Sequence, residues 1–175
     1  MSTTLTIIAF ADDVRCLNAN LADSKLAWIA PQYGLVGTIG LPMTVKPLAP
    51  RTNLYAHEAT FTTEGRAKLA DAAQTNSHAK RLRLSEGETF GLLLAYWRDI
   101  YGSGCVGMAE KPHEPQFCKF ALYKMHLAKA TGDEREAKRL AGVHKAMKAE
   151  FEKQRQADRI SNNLIRRALG GQTRR

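Results

Sequence analysis

The sequence predicts an α+β fold: short antiparallel strands and turns at the N-terminus, packed on a C-terminal helical half that ends in a long basic helix. Three observations predict it. Residues 1–62 hold β-branched and apolar runs cut by turn chemistry, with Pro31, Pro42, Pro47 and Pro50 close together. Residues 63–169 switch to helical spacing with start and stop signals. The two kinds of signal are segregated rather than alternating, which disfavours a parallel α/β sheet. At 175 residues the chain is expected to form one domain over 1–169, with a flexible basic tail over 170–175.

Thr4 to Phe10 reads as the first strand. Leu26 to Ala30, Leu35 to Ile39 and Met43 to Leu48 are further short candidates, separated by turns at 31–34 and 40–42. Proline lacks an N–H for a strand ladder, so any strand there must be short or at an edge. Asn53 to Phe61 completes the strand-rich part. Thr63 to Ala73 predicts a short helix ended by Thr75-Asn76-Ser77, and Lys80 to Leu84 reads as a basic link.

Ser85 and Glu88 form a Ser-x-x-Glu capping box, in which each side chain satisfies the other's backbone N–H. It opens a helix over Glu86–Tyr101 that carries Phe90, Leu93, Leu94 and Trp97, with Gly102 placed to stop it. Gly102 to Pro115 reads as a loop. Gln116 to Ala130 is apolar around much of its circumference, which predicts a centrally buried helix with Lys119, Tyr123 and His126 on its polar strip. Thr131-Gly132-Asp133 reads as a tight turn with Asp133 capping a last helix that runs to Leu169. That helix has two apolar faces, Leu140, Val143, Met147 and Phe151, then Ile160, Leu164 and Ala168. At about 100° per residue they lie roughly 100° apart. Either the helix kinks near Gln154 or its halves meet different partners.

Leu26 to Val45 is uncharged and about long enough to span a bilayer. Pro31, Pro42 and three glycines break it as a helix, so buried strands are expected and no membrane partner. The three cysteines, Cys16, Cys105 and Cys118, are odd in number and widely spaced. Reduced thiols in a cytoplasmic protein are the expectation. The apolar run near the N-terminus is short and ends at Asp12-Asp13, unlike a signal peptide.

The formal net charge of +9 is local. Residues 1–79 carry six basic and six acidic groups, and the whole surplus falls in residues 80–175. A basic surplus of this kind is the footprint of a polyanionic partner. Lys148, Arg155, Arg159 and Arg166 step by 7, 4 and 7 along the last helix, within about 40° of one line, with Arg167 beside them. A row of guanidinium groups suits bidentate phosphate contacts. Glu152 intrudes, as on an ordinary solvated face. Lys80, Arg81 and Arg83 form a second patch that would clamp a phosphate if the link is an ordered loop.

Other constellations are thinner. Cys105, His113, Cys118 and His126 are four potential zinc ligands, but at intervals of 8, 5 and 8 only His113 and Cys118 resemble the close pair of a structural zinc site. Gly34, Gly37 and Gly40 match no dinucleotide fingerprint and read as turns. Asp12, Asp13 and Glu58 would serve a metal-dependent nuclease if they converged, and His57 with Glu58, and Ser103 or Cys105, makes a triad only on paper. Trp28, Tyr33, Tyr55 and Trp97 are the aromatic candidates for base stacking.

The expectation is therefore a non-enzymatic nucleic-acid-binding protein, for DNA or RNA. It would act as a small subunit or accessory factor of a nucleoprotein complex, through backbone contacts and with no cofactor. The alternatives are a protein–protein adaptor or inhibitor docking through the C-terminal helix, and a metal-dependent nuclease.

Overall fold

The computed structural model describes residues 1–19, 21, 29–101 and 116–170. The fold is α+β. Strands β1 (Ser2–Phe10), β2 (Leu35–Val36) and β3 (Leu54–Thr62) form a three-stranded antiparallel sheet in the order β1-β3-β2. Around it lie α1 (Ala11–Ala19), α2 (Ile29–Gln32), α3 (Thr63–Thr75), α4 (Ser77–Leu82), α5 (Glu86–Tyr101), α6 (Lys119–Ala130) and α7 (Glu134–Gly170). A single 3-10 turn, Gln116–Cys118, leads into α6.

β1 and β3 pair along their whole length, from Ser2↔Thr62 to Phe10↔Leu54. The rest of the strand-rich region is less regular than its sequence predicts. Only Leu35–Val36 of the Leu35–Ile39 candidate is strand, and Met43–Leu48 is not one. This stretch still tracks β3 through single bonds: Gly40, Met43 and Leu48 N–H donate to the carbonyls of Glu58, Ala56 and Leu54, each at 2.9 Å. Pro42 and Pro47 have no N–H to give, so the ladder cannot close between these points. Ile29 and Ala30, expected in a strand, lie in α2, while residues 26–28 fall outside the described residues. The helix α1 was not foreseen. Its acidic first turn, Asp12 and Asp13, suits the positive end of a helix.

α5 is the centre of the molecule. Residues 87–95 are buried without a break, so this helix, not α6, is the one enclosed on all sides. Phe90, Leu93 and Leu94 join a cluster with Ile7, Phe61, Leu69, Ile29 and Leu17 from the sheet, α1, α2 and α3. Leu92 and Ala95 join a second cluster with Phe10, Leu54, Leu82, Phe120, Leu140 and Met147. Its capping box forms as predicted, with Ser85 N–H donating to Glu88 Oε1 at 3.4 Å and Glu88 N–H to Ser85 Oγ at 3.3 Å. α5 lies directly on β1, an outer strand of the sheet. A Cβ at Gly87 would stand 2.0 Å from the Thr6 carbonyl oxygen, and one at Gly91 would stand 1.6 Å from that of Ile8. Only glycine permits that approach, and it covers a strand otherwise open to pairing.

Asp13 and Arg98 tie α1 to α5 through a buried ion pair at 2.5 Å. Burial alone would lower the Arg98 pKa, but the hydrogen bond and charge of Asp13 outweigh it and leave it raised. α6 presents Phe120, Ala121, Tyr123 and Ala128 to the interior. Tyr123 is therefore not on the polar strip, and Leu127 is exposed in its place beside His126. Burial, and then the charge of Glu88, pushes the Tyr123 hydroxyl up to about 12.

Candidate nucleic-acid interface

The final helix is two environments on one backbone. Asp133 caps it by accepting from Glu136 N–H at 3.0 Å. It then runs unbroken for 37 residues, or about 55 Å at 1.5 Å per residue. There is no break at Gln154. Instead the two apolar faces go to different surroundings. Leu140 and Met147 are buried in the second cluster, with Val143 and Phe151 packed against it. From Gln156 to Leu169 every residue is exposed.

The exposed segment sorts its side chains. Arg155, Arg159 and Arg166, with Asn162, extend the line begun by Lys148. Ile160, Leu164 and Ala168 lie on roughly the opposite side, and Arg167 stands between the two. Ile160, Leu164, Ile165 and Leu169 each expose more than half of their surface. Among the described residues no carboxylate pairs with Arg155, Arg159, Arg166 or Arg167. Arg155 instead lies over the Phe151 ring, 6.0 Å from its centroid.

The second patch is built differently from its prediction. Lys80 to Leu82 is the last turn of α4, not a loop. Asn76 Oδ1 accepts from His78 N–H at 3.0 Å and Ala79 N–H at 3.1 Å, which caps the helix. Arg83, with φ at 54°, closes it in the left-handed conformation. Arg81 pairs with Glu150 at 3.2 Å and Arg83 with Glu136 at 3.5 Å. Arg139 donates to the Arg81 carbonyl at 2.7 Å and pairs with Glu136 at 2.5 Å, a hydrogen bond that holds the Glu136 carboxyl below its ordinary pKa. These contacts fasten α4 to the embedded half of α7. Lys80 is exposed.

The zinc-type residues are not gathered among the described residues. Cys118 is buried at the start of α6 and His126 is exposed two turns on, while Cys105 and His113 lie outside the described residues. No group of three His, Cys, Asp or Glu residues that could hold a metal occurs among those described. Asp12 pairs with Arg15, Asp13 with Arg98, and Glu58 stands exposed on β3. His57 is buried, its Nδ1 2.9 Å from the Gly40 carbonyl, which pins the irregular strand-side segment. No described helix is long and apolar enough to cross a membrane.

The stacking candidates fare unevenly. Tyr33 meets Phe90 edge to face at 6.3 Å, Tyr55 and Trp97 are half-buried, and Trp28 lies outside the described residues. Tyr96, passed over in the sequence, is more exposed than its neighbours on α5. Its signal was available: position 96 falls one turn after Leu92 and Leu93, beyond the buried run. Family models, curated proteins and solved structures give no match to this chain.

Proposed function

We propose that the protein binds nucleic acid through the arginine line of the projecting half of α7. The observation that carries the reading is the contrast in charge pairing. Arg81 and Arg83 are occupied by Glu150 and Glu136, whereas Arg155, Arg159, Arg166 and Arg167 have no carboxylate partner among the described residues. Unpaired guanidinium groups on a projecting rod, three on one line and Arg167 to its side, are placed to meet a line of phosphates. Among the described residues no arrangement encodes base-pair readout, so the arginine contacts are to the backbone. The test is binding of a labelled oligonucleotide at several salt concentrations. Four phosphate contacts to a single strand imply roughly a 50-fold loss of affinity between 50 and 200 mM salt. Arg155→Ala, Arg159→Ala, Arg166→Ala and Arg167→Ala together should abolish that dependence. A flat salt response in the unaltered protein overturns the reading.

The exposed face of Ile160, Leu164 and Ala168 favours a second reading, in which this face docks in the groove of another protein. Residues 151–170 carry five basic and two acidic groups, so the groove that fits has an apolar floor and a carboxylate rim. A second copy brings like charge and is the poorer occupant. Sedimentation of the purified chain separates them: a concentration-dependent dimer lost in Leu164→Asp would point to self-association and overturn the acidic-groove reading.

A further inference from the structure

The aromatic residues at the root of the projecting helix surround a cavity that the arginine line does not use. It has a volume of about 200 Å³ and is lined by Asn76, Ser77, His78, Leu92, Leu93, Tyr96 and Phe117. That is less than the ~300 Å³ at which cavities for drug-sized ligands begin, and it suits one planar ring system. Its walls are rings that do not cover one another. Tyr96 meets Phe117 edge to face at 5.5 Å, and His78 leans on Phe117 at 5.3 Å with 47° between the planes. Leu92 and Leu93 close it with aliphatic surface.

One polar atom in this apolar setting is unsatisfied. His78 Nδ1 is buried and has no hydrogen-bond partner among the described residues. That nitrogen is closed off from the cavity, so His78 serves the cavity as part of its ring wall. Burial, and then the positive charge of Arg81, hold the imidazole below its ordinary pKa, so the ring is neutral at pH 7 and offers one donor and one acceptor.

The cavity wall is linked to the arginine line through Phe151. Phe117 is 6.0 Å from Phe151, and Arg155 lies over Phe151. The Arg155 guanidinium is thus two steps of 6.0 Å, by way of Phe151, from Phe117 in the cavity wall. We propose that the cavity seats one unpaired nucleobase of a single strand whose phosphates follow Arg155, Arg159 and Arg166. Tyr96 and Phe117 give it ring contacts, and the His78 ring completes the wall. The inference rests on the nucleic-acid reading and adds to it a preference for single strands that carry bases.

The test compares two labelled 15-mers by fluorescence anisotropy at one salt concentration, oligothymidylate and a strand of the same length made wholly of abasic sites. Their phosphates are equal in number, so the arginine line alone binds them equally. A seated base should make the thymidylate strand bind about ten-fold tighter. His78→Ala and Tyr96→Leu should each bring thymidylate down toward the abasic value while leaving abasic binding, which reports a folded protein with an intact arginine line, unchanged. Equal binding of the two strands by the unaltered protein overturns the base site and leaves the arginine line standing. Failure to bind either strand overturns both. A thymidylate preference that survives both substitutions places the base elsewhere and overturns the site.

Discussion

The two halves of α7 have similar composition in charge but opposite circumstances. Residues 134–151 lie on α6 and the second core cluster, and their charges are used: Glu136 and Glu150 take Arg83, Arg139 and Arg81. Residues 156–169 touch no core, and their arginines face solvent. A short isolated helix is marginal in water, because nucleation costs more than a few turns return. The projecting half is helical because it grows from a nucleus already fixed by packing. The comparison teaches that core packing and unpaired charge have been separated along one helix.

The largest effect that would break this comparison is in the core. Leu140→Ala removes a buried side chain at 1% exposure and should cost about 2–5 kcal/mol, read from the midpoint of chemical denaturation. Leu164→Ala, one face and several turns along, should stay within about 0.5 kcal/mol. Equal costs would mean that the projecting half is packed on something within the molecule. Removal of either partner of Asp13 and Arg98 belongs to the same class, at about 3–5 kcal/mol, since it strands a buried charge.

A smaller effect separates the two basic patches. Arg81→Ala should lower stability by about 0.2–1 kcal/mol, because it breaks a partly exposed pair with Glu150. It should leave the salt slope of oligonucleotide binding where it was. Arg159→Ala and Arg166→Ala together should do the reverse, leaving the denaturation midpoint in place and reducing the slope by about 1.4 for a single strand. If Arg81→Ala flattens the slope as much as the pair does, the distinction between fastened and available arginines is wrong.

The elements with strong local signals were the legible ones. The Ser85–Glu88 box fixed the start of α5, and Glu86–Tyr101 is helical over the span its spacing predicts. β3 and α3 followed from their own residues in the same way. What was not legible depended on tertiary context. Asn76 both ends α3 and caps α4, so a stretch that reads as a basic link becomes one more turn of helix. Tyr123 points inward because it joins the second core cluster beside Glu88 of α5, which the pattern within α6 does not record. The arginine line was visible as a spacing, but its division from Arg81 and Arg83 was not. Ion pairs between positions far apart in sequence, such as Arg81 with Glu150, leave no local trace. The cavity at His78 was hidden for the same reason, being assembled from α4, α5 and the turn before α6.

The smallest expected effect is one of pH at the junction between the halves. His78 has its folded pKa lowered, first by burial and then by Arg81, against an opposing pull from Glu150. A group that binds its proton less readily when folded favours the unfolded chain as pH falls. The His78 contribution is therefore fully present above its ordinary value of about 6.5 and is lost progressively as pH drops below that value toward the folded one. The loss should appear as a shallow decline in the thermal midpoint as pH falls below about 6.5, reduced in His78→Phe, which keeps a ring against Phe117 without the proton. The comparison with the projecting half sharpens it: a chain ending at Phe151 should show the same decline, because Arg81, Glu150 and Phe117 all remain. A decline that vanished on that truncation would place its cause in the exposed segment instead.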